Sequence, residues 1–104
     1  MKLADLLPTI AEKSQAGKLA WEELGTDVFT ASLTSRYMIE VRRDRGRVTL
    51  ALLNDHGRQL ESVGDDYYLS EDSASVPRIF DIARRQALAV DDALSEAKRA
   101  LESL

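Results

Sequence analysis

Leu3, Leu6, Leu7, Ile10 and Ala11 stand at i, i+3, i+4, i+7 and i+8, the spacing of one apolar helix face. They predict a short helix over roughly 5–16, with Asp5 as N-cap and Gly17 as its stop. Pro8 is compatible with the first turn, where backbone N–H groups have no intrahelical partner. From residue 19 the period changes to two. Leu19 and Trp21 alternate with Ala20 and Glu22, as a short strand or a packed linker. Phe29, Ala31 and Leu33, then Tyr37, Ile39 and Val41, then Val48, Leu50 and Leu52 each alternate with their neighbours. Such strands have one buried face, as an antiparallel sheet half covered by helices requires. A weaker strand falls at about 58–63.

Two turns carry the same signal, Asp44-Arg45-Gly46 and Asp55-His56-Gly57. Aspartate can fold back on a turn, and glycine takes the left-handed position of a type I turn with a bulge. Thr34 and Ser35 make the first turn. Residues 64–75 read as an acidic loop, after which Ser75 caps a helix with Pro77 in its first turn. The expected fold is α+β: an N-terminal helix, a three- to four-stranded antiparallel meander and a long C-terminal helix.

In that last helix Phe80, Ala83, Ala87, Val90, Leu94, Ala97, Leu101 and Leu104 alternate spacings of three and four. This is a seam of the coiled-coil kind, and its alanines admit a close neighbour. A straight helix over 76–104 would run about 43 Å, whereas a domain of this size is only about 33 Å across. Either it breaks near Ala89-Val90-Asp91, with Asp91 capping a second helix, or it overhangs and packs on another chain. The unbroken spacing through Val90 favours the continuous helix. Val90, Leu94, Ala97, Leu101 and Leu104 are thus the candidate partner interface, for a homodimer or for docking on a larger protein.

A length of 104 residues suits one domain, and 44% hydrophobic with 31% charged residues is a globular composition. No apolar run approaches the roughly 20 residues of a membrane span, and Asp5 interrupts any secretory core. The chain has no cysteine, which excludes a disulfide scaffold and thiolate chemistry and points to the cytoplasm. The net charge is -4, against a general nucleic-acid binder. Yet residues 36–58 hold six arginines against three acids, leaving -7 on the rest. Arg42, Arg43, Arg45 and Arg47 surround one hairpin turn and are candidate anion contacts, which keeps nucleic-acid binding as an alternative. Asp65, Asp66, Tyr67 and Tyr68 form a candidate acidic recognition loop, unless Tyr68 and Leu69 simply tuck that loop onto the core.

The segments Leu19-Ala20-Trp21-Glu22, Phe29-Thr30-Ala31-Ser32-Leu33, Asp55-His56-Gly57-Arg58, Ala83-Arg84-Arg85-Gln86-Ala87-Leu88 and Val90-Asp91-Asp92-Ala93-Leu94 together resemble a small bacterial α+β domain family of unknown function. The resemblance spans nearly the whole chain. It implies a bacterial cytosolic protein with helix, meander, helix organisation, and it transfers no activity or catalytic residue.

No catalytic constellation emerges. His56 is the sole histidine and sits in a turn, so with no cysteine present there is no structural zinc set. The carboxylate pairs Glu22/Glu23, Asp65/Asp66, Glu71/Asp72 and Asp91/Asp92 lack the spacing of a calcium loop. The five glycines are dispersed, so no phosphate-cradling loop exists. Trp21 reads as core between helix and sheet, with ligand stacking in a pocket there as the alternative. These residues point to a non-enzymatic interaction or regulatory module, with no cofactor and no metal.

Overall fold

The computed structural model describes residues 1–65 and 75–104. A 3₁₀ turn at Leu3–Leu6 leads into α1, Leu7–Gln15. Helical structure therefore begins ahead of Asp5, and Asp5 is not the cap. Its carboxylate instead reaches back to accept the Lys2 backbone N–H at 2.9 Å, the return half of a capping box. Leu3 donates its backbone N–H to the Glu61 carboxylate, tying the turn to the far edge of the sheet. Leu3, Ala4, Leu7, Ile10 and Ala11 are buried, while Leu6 stays partly exposed. At the other end Gly17 N–H bonds the Ser14 carbonyl at 3.1 Å and Lys18 N–H the Lys13 carbonyl at 2.9 Å, which closes the helix in a Schellman motif.

Five strands follow: β1 Glu22–Gly25, β2 Val28–Ser32, β3 Tyr37–Asp44, β4 Arg47–Asn54 and β5 Gln59–Gly64. They pair in sequence order with antiparallel neighbours, so the meander has one strand more than the upper expectation. The alternation of Leu19 and Trp21 reflects packing ahead of β1. Trp21 is buried, and its indole N–H donates to Ser14 Oγ at 3.0 Å.

The two Asp-X-Gly turns differ. Asp44 pairs directly with Arg47, leaving only Arg45 and Gly46 in the loop, both at positive φ (54° and 79°). That is a type I′ turn, which matches the strand twist without a bulge. The second loop keeps three residues, with Gly57 at φ 77°, as the bulged turn requires. Here Asn54, not Asp55, folds back: its Oδ1 accepts the N–H groups of His56 and Arg58 at 3.0 and 2.9 Å. Thr34 does the same in the first turn, accepting from Arg36 and Tyr37.

One face of the sheet carries Phe29, Ala31, Ile39, Val41, Val48, Leu50 and Val63 into the core. Helix α2, Val76–Ala87, covers it together with α1. Ser75 Oγ accepts the Arg78 N–H, with Pro77 in the first turn, because proline there loses no helical bond. Val76, Ile79, Phe80 and Ala83 are buried, and the Phe80 ring meets Phe29 edge to face at 5.6 Å. Gln86 Nε2 donates to the Ser14 carbonyl, joining the two helices.

The helix is not continuous to the C-terminus. It ends at Ala87, Ala89 turns left-handed (φ 50°), and α3 runs Val90–Glu102. Asp91 is not the cap, since Ala89 occupies that position without a side-chain bond. Apolar spacing persists across a break of this kind because it registers side-chain phase and is blind to one residue's φ. Beyond the break α3 buries none of its residues. The principal extents are 54 × 32 × 28 Å and the radius of gyration is 14.9 Å, against about 13 Å for a compact chain of this length. The break redirects the helix and does not fold it back onto the sheet.

Candidate interaction surface

The stripe predicted as an interface runs along α3 and continues past its end to Leu104. Val90 is half-buried at its root, Leu94 is 56% exposed, Leu101 69% and Leu104 99%. Ala93, Ala97 and Ala100 lie between them and are also exposed. The opposite side carries Asp92, Ser95, Glu96 and Arg99. The main packing of α3 is against α2. Arg85 of α2 reaches both Asp81 at 3.5 Å and Asp91 at 3.1 Å, a surface fastener that holds the junction. A 13-residue helix without tertiary burial is marginal in water, since most helical stability in proteins comes from packing an amphipathic face.

The arginine hairpin does not converge. Strand alternation places Arg42 and Arg47 on the sheet face away from the helices and Arg43 on the helix side. Arg42 Nε lies 3.0 Å from Glu40 Oε1. Arg43 lies 3.3 Å from Asp27 Oδ2, with its guanidinium 5.1 Å from the centre of the Phe80 ring. Arg45 and Arg47 are exposed around the turn and carry no ion-pair partner among the described residues. In the acidic loop, Asp65 accepts the Val48 N–H at 3.0 Å and returns its own N–H to the Val48 carbonyl. Its carboxylate thus closes the end of the β4–β5 ladder. Asp66, Tyr67, Tyr68 and Leu69 lie outside the described residues.

Sequence patterning did not single out a groove of about 200 Å³ on the sheet face away from the helices, lined by Glu40, Arg42, Thr49, Ala51, Leu53, Gly57 and Gln59. Glu40 is only 8% exposed there, and Arg42 neutralises it. Alternation alone marks Glu40 as outward-facing and carries no sign that neighbouring side chains bury it. The groove holds no histidine, and its carboxylate, Glu40, is paired with Arg42. His56 is exposed in its turn, 3.7 Å from Asp55. Among the described residues no group of carboxylates and histidine could hold a metal ion, and every buried side-chain nitrogen or oxygen has a hydrogen-bond partner. No described helix is long and apolar enough to cross a membrane.

The fold and this surface define an α+β antiparallel meander with a projecting amphipathic helix. Comparison of the chain with protein-family models, with curated proteins and with solved structures yields no match.

Proposed function

We propose that the protein is a non-enzymatic interaction module that works through α3, acting by association in the cytoplasm. The observation that carries this reading is the apolar stripe of Leu94, Ala97 and Leu101 along α3, continued by Leu104 past the helix end and exposed on a helix with no buried residue. Burying a leucine contributes about 1.5–3 kcal/mol, so the stripe holds enough unspent driving force to order α3 on a partner. The arrangement of the arginines supports this choice over nucleic-acid binding: Arg42 and Arg43 are engaged within the chain, and Arg43 lies on the opposite sheet face from Arg42 and Arg47.

The test is recovery of bound protein from the cell of origin by the tagged chain, with a differently tagged second copy also present. Wild type and the Leu94→Asp/Leu101→Asp variant are compared, and each partner is identified by mass spectrometry. The expected result is a defined partner, either another protein or the second copy, that the variant loses. Both positions are more than half exposed, so the variant keeps its fold, checked by far-UV circular dichroism. Equal recovery by both chains overturns the reading.

A further inference from the structure

We infer that the groove on the sheet face away from the helices binds a small zwitterion of the α-amino-acid class. The inference is independent of the reading of α3. Its starting point is Glu40, whose carboxylate is nearly buried where it lines the groove. Taking a carboxylate out of water is costly, and a buried ion pair seldom offsets that cost in stability. Glu40 and Arg42 stand two residues apart on β3, so their pair joins no two elements of the fold. The pair also uses only part of each group. Arg42 Nε donates to Glu40 Oε1 at 3.0 Å. Glu40 Oε2 and the two Nη groups of Arg42 make no hydrogen bond or ion pair among the described residues. Every enclosed side-chain nitrogen or oxygen has a partner, so Oε2 keeps an opening to solvent.

The pair selects the charge of its ligand. A lone cation drawn to Oε2 meets the Arg42 guanidinium, and a lone anion drawn to Arg42 meets the Glu40 carboxylate. A ligand with both charges on adjacent groups satisfies both. In an α-amino acid the ammonium nitrogen and the carboxylate carbon are bonded to one carbon, each at about 1.5 Å, so its charges lie as close together as those of the pair. Strand register orders the rest of the groove. Arg42 stands opposite Thr49 and Glu40 opposite Ala51, and Leu53 stands opposite Gln59. From one end the groove thus offers a donor for the carboxylate, then an acceptor for the ammonium. Beyond them lies a buried apolar floor of Ala51 and Leu53 for an aliphatic side chain. No other charged group lines the groove among the described residues, so the side chain it takes is uncharged. Its volume of about 200 Å³ is below the roughly 300–1,000 Å³ of sites for drug-sized ligands, which suits a single amino acid.

The test is a titration of the isotope-labelled chain with each L-α-amino acid of uncharged side chain, up to about 20 mM, read by backbone amide shifts in NMR spectra. For the tightest binder two derivatives are titrated alongside. The methyl ester lacks the carboxylate charge, and the N-acetyl form lacks the ammonium charge. The expected result is a saturable shift centred on Glu40, Ala51, Leu53 and Gln59. Each derivative should bind at least about tenfold more weakly, since each loses one charge-assisted contact. Glu40→Gln and Arg42→Gln should each weaken binding by a similar factor while the thermal midpoint stays within about 2 °C of wild type, because a part-exposed pair on one strand adds little stability. No saturable shift with any amino acid overturns the site. So does a derivative that binds as tightly as the free amino acid, or undiminished binding by Glu40→Gln. If both variants lose the fold, the derivatives titrated against the wild-type chain still decide the question. Each of these outcomes is separate from recovery of a partner through α3.

Discussion

Replacing Arg43 by alanine distinguishes an arginine that holds the fold from one that waits for an anion. Its guanidinium sits 5.1 Å from the centre of the buried Phe80 ring and 3.3 Å from Asp27 Oδ2. The ion pair is part-exposed on both sides, with side chains 45% and 36% accessible, so solvent screening limits it to a few tenths of a kcal/mol. The cation–π contact contributes about 0.5–1 kcal/mol. The expected loss on Arg43→Ala is therefore about 1–1.5 kcal/mol, most of it insensitive to salt. Arg45→Ala, at the turn tip, should change stability by less than about 0.5 kcal/mol. Urea denaturation followed by far-UV circular dichroism at about 50 mM and about 500 mM salt measures both, with the ion-pair share alone screened by the added salt. A neutral Arg43→Ala, or a loss that disappears at high salt, would refute the assignment of Arg43 to Phe80. It would also return the residue to the pool of free cations at the hairpin.

Other outcomes follow from the core and the junction. Ser14→Ala leaves the buried Trp21 indole N–H without its acceptor and should cost about 1–3 kcal/mol. In a Trp21→Phe background the same substitution should cost about 1 kcal/mol less, as a double-mutant cycle by denaturation would read. Ile79→Ala, at a fully buried site under α2, should cost about 2–5 kcal/mol. Ala89→Gly removes the left-handed penalty at φ 50°, partly offset by glycine's greater freedom in the unfolded chain. A net gain of about 0.5–1 kcal/mol in α3 formation is expected, seen as slower amide exchange across 93–100.

The sequence by itself determined the elements that depend on local periodicity and local chemistry. Four of the strands, the Gly17 stop and the Ser75–Pro77 helix start are all legible because each is decided by residues within one or two turns of the chain. Trp21 was legible as core, though not its bond to Ser14, which needs α1 brought against the sheet. The stripe from Val90 to Leu104 was equally plain in the spacing, whereas its exposure was not.

Tertiary structure decided what depends on distance in sequence or on one dihedral angle. The hairpin register, which leaves two residues between Asp44 and Arg47, converted an expected bulged turn into type I′. Alternation across β3 sent Arg42 and Arg43 to opposite faces, where Glu40 and Phe80 engage them. The sign of φ at Ala89 ended one helix and began another without disturbing the apolar phase. A linear pattern records which residues seek burial. Only the folded body shows where burial runs out, and here it does so at α3.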